Sequence, residues 1–167
     1  MIHPISRRAV HGVSLIEVMV AVLVFSIGLL GIAMLQMRGA QFTKESGSRT
    51  AAIILARSLA ESMRANPAGA IPTSGDSAYL YDGKAAYTQA DCDSATLDTP
   101  AAVAKRDLAC WQLALAKNLP APTAGHSVAS VTQDATLGTL IIKVSWAGVA
   151  DDENSDSTQS YSFSYLQ

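Results

Sequence analysis

From Val13 to Met37 the chain runs for 25 residues, VSLIEVMVAVLVFSIGLLGIAMLQM, with Glu17 as its only charge. No other feature limits the fold as strongly. As a helix this run measures about 37 Å at 1.5 Å per residue, enough to cross a hydrocarbon core of roughly 30 Å. A helix that is apolar all round needs lipid or other protein on every side. Arg7 and Arg8 lie just before it. By the positive-inside rule they place the N-terminus in the cytoplasm and the C-terminal bulk across the membrane.

A cleavable secretory signal would have a shorter apolar core and a small-residue cleavage site. Here the far end reads Leu35-Gln36-Met37-Arg38, which offers none. A plain signal anchor fits the length but gives no reason for Glu17. An ionised carboxylate in mid-bilayer costs roughly 2.5–3.5 kcal/mol, and less near the interface. Glu17 therefore either snorkels to the interface or meets a cation, and the residues alone leave both readings open.

The hexad Gly12-Val13-Ser14-Leu15-Ile16-Glu17 resembles the type IV prepilin processing motif: glycine, an aromatic or apolar residue, then T/S-L-I-E. Val13 stands where phenylalanine is usual. The resemblance implies that a prepilin peptidase cuts after Gly12 on the cytoplasmic face and that the new N-terminus, Val13, is N-methylated. It also implies that Glu17 guides the subunit into a growing filament. The neighbouring subunit's N-terminal amine would be the cation that stabilises this carboxylate in apolar surroundings.

At 167 residues the chain has room for one modest domain beside such an anchor. The expected organisation is a leader at 1–12, a transmembrane or filament-core half of a stalk helix at 13–37, an amphipathic half at 38–66, and a periplasmic head at 67–167. The amphipathic half carries Ala52, Leu55 or Ala56, Leu59 and Met63 at spacings of three and four, with Arg49, Arg57, Glu61 and Arg64 mostly on the other side. Ser46-Gly47-Ser48 is a weak point, and Asn66-Pro67 ends the helix. A continuous helix from Val13 to Asn66 would be about 80 Å long. Gly28 and Gly31 are its glycines within the apolar run, placed either to let the helix melt locally or to let helices pack closely.

From Pro67 to Pro100 the chain is rich in Gly, Ser, Asp and Thr and reads as an irregular connection, with a short extended piece at Ala78–Tyr81. Thr99-Pro100 looks like a helix start. Ala104, Leu108, Trp111, Leu115 and Leu119 then form one apolar stripe, with Trp111 a core residue, as far as Pro120. Cys92 and Cys110 flank the beginning of this helix. On the exported side of a membrane an even cysteine count favours one disulfide over two buried thiols. A bridge would close a 19-residue loop and contribute about 3 kcal/mol. The final third is β: Ser127–Gln133 weakly, Thr139–Trp146 strongly, and Gln159–Leu166 with Tyr161, Phe163 and Tyr165 on one face. The expected class is α+β and pilin-like: a long N-terminal helix on a small antiparallel sheet, with a second short helix.

Ligand chemistry has few candidates. Asp151, Asp152, Glu153, Asn154 and Asp156 supply the carboxylates that Ca²⁺ prefers. Yet Ser157 stands where a calcium loop needs its turn glycine, and Phe163 where it needs its bidentate glutamate, so a solvated hairpin loop is the plainer reading. C-x17-C is not a zinc spacing. His3 and His11 lie in the leader, leaving only His126, and no hydrolase, metalloprotease or phosphate-loop motif occurs. No cofactor and no catalysis are expected. Beyond residue 12 the chain holds ten cations against 14 acids, which disfavours a phosphate-backbone binder. Lys105, Arg106 and Lys117 are its one compact basic group.

The string D-L-x-C-W-x-L-x-L-x-x-x-L-P from Asp107 to Pro120, followed by Val144-Ser145-Trp146, resembles PilV-type minor pilins. The resemblance implies a low-copy subunit that helps to prime or cap a type IV pilus, and so serves twitching motility and adhesion. Implied partners are other minor pilins, the major pilin, the prepilin peptidase and the inner-membrane assembly platform. The subunit would sit in the inner membrane with a periplasmic head, then at the filament tip. A minor pseudopilin of type II secretion shares the same N-terminus. A tip adhesin or DNA-uptake receptor is the alternative of another class.

Overall fold

The computed structural model describes residues 12–134, 136–149 and 157–165. Its elements are α1 (Leu15–Ala65), α2 (Pro67–Ala70), α3 (Gln89–Cys92), α4 (Pro100–Asn118), β1 (Ala129–Gln133), β2 (Leu140–Ala147) and β3 (Thr158–Tyr165). This is the α+β arrangement expected, with two four-residue helices added in the connection. The chain divides between Phe42 and Thr43 into two units.

In the first unit the described residues from Leu15 onward are all helical. Every large apolar side chain from Val13 to Met37 is exposed. The helix passes Gly28 and Gly31 unbroken. Ser26 satisfies its hydroxyl within the helix by donating to the Val22 carbonyl at 2.7 Å.

In the second unit α1 turns amphipathic. It continues through Ser46-Gly47-Ser48, where the sequence had suggested a weak point. Ser48 is buried at the edge of the core, and Thr50 Oγ1 donates to the Ser46 carbonyl at 2.9 Å. Packing outweighs the cost of about 1 kcal/mol for a mid-helix glycine. Ala52, Ala56, Leu59, Ala60 and Met63 are buried, Leu55 half-buried, and Arg49, Arg57, Glu61 and Arg64 exposed. The same core takes Leu108, Trp111, Leu115 and Leu119 from α4 and its cap, and Val131, Leu140, Ile142, Val144, Trp146 and Tyr165 from the sheet. Each such side chain adds about 1.5–3 kcal/mol by leaving water. Trp111 is a core residue whose Nε1 also donates to the Leu55 carbonyl at 3.0 Å, joining α4 to α1.

The helix starts follow their sequence signals. Thr99 caps α4, accepting from the Ala102 amide at 3.1 Å, with Pro100 in the first turn. Thr88 and Asp91 form a reciprocal capping box on α3. The sheet is antiparallel in the order β1-β2-β3. Of the extended piece expected at Ala78–Tyr81, only Tyr81 pairs, with Val131. Tyr79 is instead turned into the core.

Candidate functional site

The processing hexad begins ahead of the first helix and ends within it. Gly12, Val13 and Ser14 precede α1, and Leu15, Ile16 and Glu17 form its first turn. The Ser14 carbonyl accepts the first helical bonds, from the amides of Glu17 at 3.0 Å and Val18 at 3.3 Å. Glu17 therefore lies where unpaired amides leave partial positive charge, which favours a carboxylate. Val13 is 72% exposed and Leu15 78%. The junction is thus exposed, with its first three residues outside the helix. Behind it, an 18-residue window of α1 has a mean hydropathy of 2.8, and none of it is buried within the chain. A β-carbon added to Gly28 or Gly31 would meet nothing within 4 Å. The chain's own packing thus gives no reason for either glycine.

Two sets of contacts shape the head. Cys92 and Cys110 are bonded, which joins α3 to the middle of α4. Alongside, Lys105 Nζ lies 2.9 Å from Asp91 Oδ1. That ammonium foremost, then the Thr88 hydroxyl and amide, hold the Asp91 carboxyl well below the usual carboxylate range. Arg106 pairs with Asp107 at 3.1 Å. The compact basic group singled out in the sequence thus has two of its three cations matched by carboxylates. The Asp151–Asp156 segment considered for Ca²⁺ lies outside the described residues. Among the described residues no three His, Cys, Asp or Glu side chains cluster to hold a metal.

The second set is one that sequence reasoning missed. Asn66, between α1 and α2, donates from Nδ2 to the Pro100 carbonyl at 2.8 Å and to the Tyr79 hydroxyl at 3.2 Å. Tyr79 in turn donates to Asp107 Oδ2 at 2.7 Å. Burial first, then the bond to Asp107, pushes the Tyr79 hydroxyl above its ordinary value. Gly69 makes room for this junction, since a β-carbon there would lie 2.4 Å from Asn66 Nδ2. The only sequence trace was Asp107 at the head of the D-L-x-C-W string. A groove of about 470 Å³ lies beside Tyr81, Tyr87, Val131 and Gln133 and is mostly apolar.

Two family models match parts of the chain. Residues 34–109 match the family model described as type IV pilin Tt1218, and residues 7–33 match the prokaryotic N-terminal methylation motif. No curated protein and no solved structure matches the chain.

Proposed function

Since the protein is type IV pilin-like, we propose that it works as a minor pilin, cut after Gly12 and N-methylated on Val13. In this reading residues 13–37 lie in the inner membrane before assembly and in the filament core after it, and the head faces the periplasm. Glu17 draws the subunit in by meeting a neighbour's N-terminal amine, and the subunit primes or caps the filament. The observation that carries the reading is the Gly12–Glu17 hexad, exposed at the start of a helix whose apolar surface finds no cover among the described residues. A surface of that size needs lipid or other chains against it. Pilin membership points to a structural rather than an enzymatic role. The Asp107–Pro120 string and the Val144-Ser145-Trp146 strand support the minor-pilin, PilV-like assignment.

The test is the mass of the mature N-terminus in cells with and without their prepilin peptidase, joined to a copy count in purified pili. Methylated Val13 that depends on the peptidase, at a few copies per filament, is expected. An intact Met1 in both strains would overturn processing. Copy numbers rivalling the major subunit would overturn the minor role. Recovery only from a secretion apparatus would assign the chain to a pseudopilus.

A further inference from the structure

The head sheet has two edges, and the chain treats them differently. At β1 the outer edge is covered. Val131 and Tyr81 exchange amide-to-carbonyl bonds of 3.0 and 2.8 Å. Gly83, at φ +82°, comes so close that a β-carbon would lie 2.6 Å from the Ala129 carbonyl. Gln112 of α4 holds this cover down, donating to the Tyr81 hydroxyl at 2.7 Å and accepting from the Tyr87 amide at 2.8 Å.

The edge at β3 is open. In an antiparallel ladder the N–H and C=O of one residue point to the same side, and successive residues alternate. Val131 points away from β2, so Ser130 and Thr132 point towards it, opposite Lys143 and Ile141. On β2, then, Leu140, Ile142 and Val144 point to β3, opposite Tyr165, Phe163 and Tyr161. The peptide groups of Ser160, Ser162 and Ser164 are left pointing out of the sheet, and they have no partner among the described residues. Only Thr158, at the strand's beginning, is engaged from outside the sheet, by Thr123.

Proteins keep open edges from pairing with charges, prolines, bulges or short strands. β3 has eight residues in continuous register, and none is charged or proline. On its core face Tyr161 and Phe163 are only half-buried. Outward peptide groups recurring every two residues, about 6.8 Å apart, match an extended chain. A helix, whose amides are already spent, does not match them. Residues 67–167 otherwise carry 11 acids against five cations, so two copies of this head repel each other. A neutral strip on an acidic head favours a different chain over a second copy.

We propose that the β3 edge pairs with an extended, uncharged segment from the head of a different pilin subunit, whose alternate apolar side chains cover Tyr161 and Phe163. This rests only on pilin membership, not on the minor role or the processing event. The test uses the full chain in piliated cells, with the photo-crosslinking residue p-benzoylphenylalanine at Ser162 and, as control, at Thr132 of the covered edge. The expected product joins position 162 to a strand-forming segment of another pilin, with at least tenfold less product from Thr132. Ser162→Pro removes an amide that has no partner among the described residues, and Ser162→Lys adds a charge to the edge. Both are expected to keep the melting temperature and the methylated Val13, yet to enter filaments at least tenfold less. If Ser162→Pro fails to accumulate, Ser162→Lys decides. Crosslinks only to a second copy, to a non-pilin protein or to nothing would overturn the proposal. So would wild-type incorporation of the Lys variant. An unprocessed N-terminus would instead count against the minor-pilin reading and leave the edge untouched.

Discussion

The two halves of α1 solve opposite problems with the same backbone. From Leu15 to Phe42 the large apolar side chains point outward on every side, and none is buried by the chain itself. From Thr43 to Ala65 one stripe, Ala52, Ala56, Leu59, Ala60 and Met63, lies at 0–1% exposure in the head core, while Ile54 stays exposed. Arg49, Arg57 and Arg64 lie on the exposed surface. The second half is stabilised by what it touches inside the chain. The first half has no such cover among the described residues, and in the proposed reading takes its hydrophobic stabilisation from lipid or other subunits. On that reading one helix carries a folding function and an assembly function, separated along its length. A substitution's effect then depends on which half it falls in.

The sharpest way to break this comparison is one chemical change made in both halves. Leu59→Ala should cost the head about 2–5 kcal/mol, while Leu23→Ala should leave head stability unchanged. Denaturant unfolding of the full chain in detergent, followed by the fluorescence of Trp111 and Trp146, measures both. Equal effects would mean that the two halves are not energetically distinct. Next in size is the disulfide: Cys110→Ser should remove about 3 kcal/mol, with no change in N-terminal processing. Thr99→Ala deletes the α4 cap and should cost about 1 kcal/mol in the same assay.

The smallest effect is electrostatic. The Asp91 carboxyl is held below its ordinary value by Lys105 and Thr88. A depressed folded-state value means that the contribution is fully present above the unfolded value, about 3.9, and is lost as pH falls through the folded one. An NMR titration of the Asp91 side chain should therefore have its midpoint below the usual carboxylate range. Asp91→Asn should flatten only the acid limb of the stability profile. A midpoint at the ordinary value would show that the Lys105 pairing does not persist in solution.

Much of this fold was legible in the sequence because it is written in local periodicity. The apolar run, the 3–4 spacing of Ala52, Ala56, Leu59 and Met63, the stripe through Trp111 and the alternation of Tyr161, Phe163 and Tyr165 each need only a short window. The Thr99-Pro100 start is equally local. The assembly candidate was legible for the same reason, since Gly12 to Glu17 is one contiguous hexad. The segment between Pro67 and Pro100 was not, because its order comes from partners far along the chain. Tyr79 reads as one aromatic in a polar stretch until Asp107, 28 residues on, accepts its hydroxyl. Tyr81 pairs with Val131 across a still longer separation.

By itself, then, the sequence determined where the chain is apolar all round, where it is apolar on one side only, and which elements follow. Hydrophobic period and turn chemistry act over a few residues, and one chain suffices to display them. Only the tertiary structure decided that Asn66, Tyr79 and Asp107 meet, and that β1 is covered while the β3 edge has no partner strand among the described residues. Those outcomes depend on which distant backbone groups arrive opposite one another. That is settled by the packing of the whole core and by the need to pair buried backbone polar groups.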